Sequence, residues 1–189
     1  RVLMSRSEWA TTSTPPGHWD AIAAEDFIKE NFSEVRWARN FALLNMSLMD
    51  AAIVCWDTKY FYYNPRPAQL DPRIKTLTGI PNFPSYISGH STFSGAAATI
   101  LSHIIPGRAA AYQTMANEAS MSRVYGGIHY SFDNVDGLAA GAKIGNLVAR
   151  NFFLPQEHAP SAGFIGSVLV ITGTSRLDSI TMYRSGSNL

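Results

Sequence analysis

One stretch of the sequence limits the possible folds more than any other. Residues 34–62 are apolar around nearly the whole circumference when they are placed on a helix. Ser33 is a favourable N-cap before this stretch, and Pro65 and Pro67 prevent the helix from continuing. Small and apolar residues recur along it in steps of three, four or seven: Val35, Ala38, Ala42, Met49, Ala52 and Trp56. The pattern predicts a buried central helix from about Glu34 to about Tyr62.

Four further helices are predicted from apolar spacing and from capping signals. They are Trp19–Phe32, Ser91–Ile105 ended by Pro106-Gly107, Ala109–Met121, and Val135–Phe153 capped by Asp133 or Asn134. Gly137, Gly141 and Gly145 in the last helix permit close contact with another helix. The β-like pattern Val168–Thr172 lies in a tail rich in Ser, Gly and Thr. We therefore predict an all-α helical domain over residues 1–159 and a tail of unknown role over residues 160–189.

Composition excludes several classes of protein. Lys and Arg number 15 against 14 Asp and Glu, so the net charge of +1 does not fit a general nucleic-acid binder. Charged residues are only 15% and apolar residues 46%, which favours a large core or a partner surface, such as a second copy of the chain. Cys55 is the one cysteine, which excludes an intrachain disulfide framework and a thiolate zinc cluster.

No membrane-spanning segment is predicted from the sequence. A span needs about 18 or more consecutive apolar residues, and the nearest candidate, Phe41 to Trp56, contains Asn45 and Asp50. Localisation stays open, because a soluble, an exported and a periplasmic protein are all compatible with this composition.

Three segments carry polar residues that an ordinary helical core does not need. The first runs from Lys59 to Arg66, and Lys59 shares a helix face with Cys55, so its ammonium points towards the buried side. The second is Ser88-Gly89-His90, directly before a predicted helix. The third is Arg123-x5-His129-x3-Asp133, with Gly126-Gly127 as a tight bend. A buried cation needs an anion, and free N–H groups at a helix start provide a cradle for one.

Taken together, these residues suit a tetrahedral oxyanion. Lys59, Arg66 and Arg123 supply three positive charges, and the two arginines offer paired donors to its oxygens. Asp133 lies four residues after His129 and is able to accept its ring N–H, which leaves the other ring nitrogen facing the anion. His90 is then available for acid–base chemistry.

Each residue taken alone has an ordinary explanation. Lys59 alone is a lysine at a helix end that extends to solvent, and Arg66 alone pairs with Asp57 or Asp71. Ser88 alone is an N-cap, and His129 alone is a hydrogen-bonded core histidine. Only the joint spacing makes the oxyanion site the better interpretation.

The combined pattern Lys59-x6-Arg66-Pro67, Ser88-Gly89-His90, Ser122-Arg123-x5-His129-x3-Asp133 resembles the signature of a known superfamily. The superfamily contains the vanadium-dependent haloperoxidases and the type 2 phosphatidic acid phosphatases (PAP2). The chain further resembles the soluble bacterial haloperoxidase-like branch in three shorter motifs, Pro15-Pro16-Gly17-His18-Trp19, Asp50-Ala51-Ala52 and Trp56-Asp57-Thr58-Lys59. The resemblance covers roughly residues 14–153. Two departures are Ile87, where the family usually has proline, and an upstream helical half that is expected to be missing.

The resemblance implies a helical bundle with the anion site buried among the helices. In the haloperoxidase branch, vanadate is bound to the His129 nitrogen, and its oxygens are held by Lys59, Arg66, Ser88, Gly89 and Arg123. His90 moves a proton during peroxide binding, and hydrogen peroxide and halide are the substrates. Trp56 and Phe83 match positions that line the halide side of the pocket.

The phosphatase branch implies a different use of the same pocket. A phosphate ester takes the place of vanadate, His129 attacks phosphorus, Asp133 stabilises the imidazolium and His90 protonates the leaving oxygen. A third interpretation is a non-catalytic phosphate-binding module, which needs neither the two histidines nor Asp133. We favour the haloperoxidase interpretation because of Trp56 and Phe83.

Overall fold

The structure, a computed structural model, describes residues 14–153, 161–165 and 168–172. Its helices are α1 (Pro15–Lys29), α2 (Glu34–Tyr62), α3 (Pro67–Leu70), α4 (Gly89–Ile104), α5 (Ala109–Tyr125) and α6 (Ser131–Val148). A 3₁₀ turn (Pro106–Arg108) joins α4 to α5, and a π-helical turn (Ala149–Phe153) follows α6. The predicted all-α fold is confirmed for the domain.

The tail contains a short antiparallel hairpin of β1 (Ser161–Ile165) and β2 (Val168–Thr172), in which Ser161 is opposite Thr172. The β-like pattern of the sequence corresponds to β2. The predicted boundary between residues 159 and 160 lies outside the described residues, so the division of the chain stays a prediction.

The contact between α4 and α6 is built from small residues and is the most extensive one between two helices of the described fold. A Cβ atom added at Gly141 would lie 2.1 Å from the carbonyl oxygen of Thr92, and one added at Gly95 would lie 2.5 Å from that of Leu138. Both distances are far below van der Waals contact, so only glycine fits at these positions. The predicted close approach at the α6 glycines is therefore observed.

Helix α2 has the predicted bounds, but it is not buried on all sides. Its inner face carries Leu44, Ser47, Ala51, Cys55 and Lys59. The residues predicted to form the inner stripe include Val35 and Met49, which are 80% and 63% exposed. The prediction was wrong because a helix that is apolar all round does not reveal which face the other helices cover, and here they cover only one.

The sequence predicted no membrane-spanning segment, but the structure contains one candidate for such a segment. Among the described residues, the segment Glu34–Leu70 is long and apolar enough to cross a membrane by length and composition. One such segment is weak evidence, because the core helix of a soluble protein has the same properties.

Three helix starts differ from the prediction, and two of them matter for the site. Helix α4 begins at Gly89 rather than Ser91, and Ser88 is its N-cap. Helix α6 begins at Ser131 rather than Val135, so Asp133 lies in its first turn and does not cap it. The Asp133 carboxylate instead reaches back to the backbone N–H of Tyr130 at 3.3 Å. Helix α1 begins earlier than predicted, because proline is favourable in a first turn.

Candidate active site

The three polar segments meet at one end of the helical domain, around a cavity of about 390 Å³. Lys59 comes from the end of α2, Arg123 from the end of α5, and Asp133 from the start of α6. The cavity wall includes Trp56, Arg66, Phe83, Gly89, His90, Phe93, Arg123 and His129. Because α4 points its N-terminus at this cavity, its first backbone N–H groups and the positive end of its dipole favour an anion there.

His129 and Asp133 form a buried hydrogen-bonded pair. His129 Nδ1 lies 2.7 Å from Asp133 Oδ2, and His129 Nε2 lies 2.9 Å from Arg66 Nη1. Since a guanidinium only donates, Nε2 is the acceptor nitrogen and Nδ1 carries the proton. Burial lowers the pKa of His129 to about 4, although the hydrogen bond to Asp133 acts in the opposite direction. The imidazole is therefore neutral at neutral pH, with a lone pair at Nε2.

Arg66 is held almost entirely by backbone carbonyls. Its Nη1 donates to Ile128 O at 2.8 Å, and its Nε and Nη2 donate to Phe83 O at 3.3 and 3.2 Å. The side chain is buried, and this burial lowers the pKa of its guanidinium. The alternative pairing with Asp71 is not observed, because that carboxylate binds Arg73 at 2.7 Å.

Lys59 is fully buried, so the interpretation as a lysine that extends to solvent is wrong. Its Nζ donates to the carbonyl oxygens of Pro84 and Ser85 at 2.9 and 2.8 Å. Burial lowers the pKa of this ammonium to about 8. Lys59 is not in the cavity wall: Nζ lies 5.3 Å from the ring centre of Phe83, which is in the wall.

Ser88 is also placed behind the cavity wall. Its Oγ accepts the backbone N–H of Ser91 at 3.4 Å, which is the N-cap interaction of α4. Of the eight residues predicted to form the catalytic and anion-binding site, the structure puts Arg66, Gly89, His90, Arg123 and His129 at the cavity and Lys59, Ser88 and Asp133 next to it.

Three aromatic rings, called here the aromatic wall, also line the cavity. Trp56 lies 5.3 Å from Phe83 and 6.2 Å from Phe93 between ring centres. The sequence indicated Trp56 and Phe83 but missed Phe93. Its position three residues after His90, one turn along α4, was the available signal.

Two hydroxyl residues near the site were also missed by the sequence analysis. Thr78 lies at the cavity wall, and its Oγ1 is buried with no hydrogen-bond partner in the described part of the chain. Ser85 is buried and lies 2.5 Å from Asp133 through its Oγ. The superfamily pattern contains neither position, so only the geometry identifies them.

Comparison with known families agrees with this geometry. The sequence profile of the PAP2 superfamily matches residues 40–157, which is more than half of the chain and includes all three polar segments. The chain belongs to the PAP2 superfamily. Members of this superfamily include haloperoxidases and phosphatases, which are enzymes.

Two of the solved structures that resemble this PAP2 protein are a haloperoxidase and LpxE. The crystal structure of the first bacterial vanadium-dependent iodoperoxidase has a TM-score of 0.73 at 28% identity, over 79% of this chain and 43% of that one. The chain thus spans less than half the length of the iodoperoxidase. LpxE from Aquifex aeolicus has a TM-score of 0.57 at 20% identity, over 78% of this chain and 94% of that one, and shows the shared fold. No curated protein matches the sequence.

Proposed function

We propose that this PAP2 protein is a vanadate-dependent haloperoxidase that oxidises halide with hydrogen peroxide. The observation that carries the proposal is the aromatic wall of Trp56, Phe83 and Phe93, which lines the same cavity as two arginines and His129. Apolar surface excludes water, so a weakly hydrated halide is bound there more readily than a charged phosphate ester. The resemblance to the bacterial iodoperoxidase is in accord with this choice.

The residues at the cavity fit vanadate. The donor set is cationic, with Arg66 and Arg123 for the oxygens and the Nε2 lone pair of His129 for vanadium. Arg66 Nη1 donates a hydrogen bond to this lone pair in the structure. The guanidinium would therefore have to turn away from Nε2 in order to bind an oxygen of the anion. Gly89 would contribute its backbone N–H at the start of α4. When bound, vanadate supplies a Lewis acid for peroxide activation.

The remaining residues have supporting tasks. Lys59, one layer behind the wall, contributes positive charge that offsets the charge of the anion. Asp133 keeps the proton of His129 on Nδ1, so that Nε2 stays available. His90 lies in the wall at the first turn of α4, where it is placed to take a proton from hydrogen peroxide.

A soluble phosphatase acting on phosphate monoesters is the second candidate, favoured by the size of the cavity. Its volume of about 390 Å³ exceeds the volume of a tetrahedral oxyanion and leaves room for an organic group. His129 Nε2 would form a bond to phosphorus while the ester P–O bond breaks, and His90 would give the leaving oxygen a proton. Water would then break the N–P bond. A non-catalytic phosphate-binding module is the least favoured, because binding alone does not need the His129–Asp133 pair.

A paired assay on one preparation tests the proposal. One half is loaded with orthovanadate and assayed for peroxide-dependent halogenation of a phenolic dye with iodide and bromide. The other half, free of vanadate, is assayed for hydrolysis of an aryl phosphate. We expect halogenation that requires vanadate and is inhibited by orthophosphate. Phosphate release without halogenation would replace the proposal with the second candidate, and inactivity in both assays would leave the binding module.

The variant Phe83→Leu sharpens this assay, because it removes an aromatic ring while keeping an apolar side chain. We expect it to reduce halogenation and to leave orthovanadate affinity within about threefold, since the ring is not a donor to the anion. Equal losses in binding and halogenation would contradict the assignment of Phe83 to the halide side.

A further inference from the structure

A buried serine outside the superfamily pattern connects two parts of the site. Ser85 is 0% exposed and lies in the segment between α3 and α4. Its Oγ is 2.5 Å from Asp133 Oδ2 and 3.3 Å from His129 Nδ1. Its carbonyl oxygen accepts from Lys59 at 2.8 Å, and its N–H donates to Asn64 O at 2.8 Å. The backbone and side chain of this residue are therefore both fixed.

The direction of each hydrogen bond follows from the partners. An ionised carboxylate only accepts, so the Ser85 hydroxyl gives its single proton to Asp133 Oδ2. The serine oxygen is then left as a second acceptor for His129 Nδ1–H, whose main acceptor is the same Oδ2 at 2.7 Å. Ser85, Asp133 and His129 thus form a closed set of hydrogen bonds. The hydroxyl proton of Ser85 points to Asp133, and the imidazole proton of His129 is on Nδ1.

The orientation of the Asp133 carboxylate depends on these hydrogen bonds, because they reach only one of its two oxygens. The hydrogen bonds from Ser85, His129 and Tyr130 all end at Oδ2 of Asp133. Its Oδ1 is buried and has no hydrogen-bond partner among the described residues. Rotation of the carboxylate would break the bond to His129, and the Ser85 hydroxyl opposes that rotation.

We propose that Ser85 is a positioning residue for the His129–Asp133 pair. It holds Asp133 Oδ2 under the imidazole and so keeps the proton on Nδ1 and the lone pair on Nε2. Ser85 is not in the cavity wall, and it acts on the anion only through the other two residues. The inference rests on one part of the proposed function, which the phosphatase alternative shares. This part is that His129 Nε2 is the nitrogen that bonds to the anion.

Ser85→Ala tests the inference, with Ser47→Ala as the matched control. Ser47 is also fully buried, and its hydroxyl has no partner within the described part of the chain. The first measurement is NMR of the anion-free protein with ¹⁵N-labelled histidine. We expect a slowly exchanging Nδ1–H signal of His129 in the wild type and in Ser47→Ala. In Ser85→Ala the signal is expected to shift or to broaden by exchange with water.

The second measurement is a double-mutant cycle on turnover. Ser85→Ala alone is expected to lower kcat about tenfold, the effect of one lost hydrogen bond to a charged group. In an Asp133→Asn background it should cause no further loss, because the two residues act as a unit. Ser85→Cys keeps the volume with a weaker donor and is expected to fall between serine and alanine.

An unchanged His129 signal in Ser85→Ala, or losses that multiply in the cycle, would overturn the inference. If the wild type is inactive in both assays, the proposed function fails, and the NMR measurement still decides the role of Ser85.

Discussion

Two regions of the domain differ in how closely their helices pack: the contact between α4 and α6, and the outward face of α2. At the first, glycines bring backbones so close that a Cβ at Gly141 would lie 2.1 Å from a carbonyl oxygen. At the second, large side chains such as Val35 and Ile53 are more than half exposed. His90, His129 and Asp133, the residues proposed to act in catalysis, lie beside the first region. The candidate site thus lies beside the region where backbones are in close contact, which favours a fixed geometry of its side chains.

The largest expected effect belongs to Asp133, at the start of α6. In Asp133→Asn, an NH2 group replaces one carboxylate oxygen, and this group cannot accept the Nδ1–H of His129. The tautomer of His129 with its proton on Nε2 then becomes accessible. We expect activity in the paired assay to fall about 10³-fold, or roughly 4 kcal/mol. The control is Asp136→Asn, in the same helix, whose carboxylate accepts from Tyr86 OH and does not line the cavity. Similar losses in both variants would contradict the special position of Asp133.

The next effect is a pH dependence of stability caused by His129. Its pKa is about 4 in the folded protein, lowered from 6.5 by burial, so the unfolded chain takes up this proton first as the pH falls. The contribution is fully present above pH 6.5 and is lost as the pH falls towards 4. We expect a loss of about 3 kcal/mol between about pH 7 and about pH 4. Urea unfolding of the wild type and of His129→Gln across this pH range measures the contribution of His129 to the free energy of unfolding. Parallel pH profiles of the two proteins would contradict the prediction.

The third effect compares two glycines directly. Gly141→Ala forces a Cβ into the α4 backbone, whereas Gly107→Ala meets nothing within 4 Å. We expect Gly141→Ala to lower the free energy of unfolding by about 2–3 kcal/mol or more, and Gly107→Ala to change it by less than about 0.5 kcal/mol. Chemical denaturation measures both. Equal stabilities would show that the two helices are not in backbone contact.

The smallest effect is expected on the outward face of α2. Ile53 is 58% exposed, and Ile53→Gln should change the free energy of unfolding by no more than about 0.5 kcal/mol. A loss above about 2 kcal/mol would mean that this face is covered in the folded protein, and the contrast between the two regions would not hold.

The helices could be predicted from local spacing, and several of the residues that line the cavity could be predicted from the superfamily pattern. The α6 glycines, the bounds of α2 and the pairing of His129 with Asp133 follow from offsets along the chain. The exposed face of α2 could not be predicted, since burial depends on where distant helices pack. Ser85 was missed for the same reason: its contacts with Asp133 and His129 join residues 48 and 44 positions apart.

Calorimetric titration of the anion-free protein with orthovanadate tests the central claim most directly. That claim is that His129 Nε2 and the cations around it form one oxyanion site. We expect the wild type to bind one equivalent in competition with orthophosphate, and His129→Gln to lose more than the roughly 10–100-fold that removal of an outer partner costs. Binding of equal strength in the variant, or no binding by the wild type, would contradict the claim.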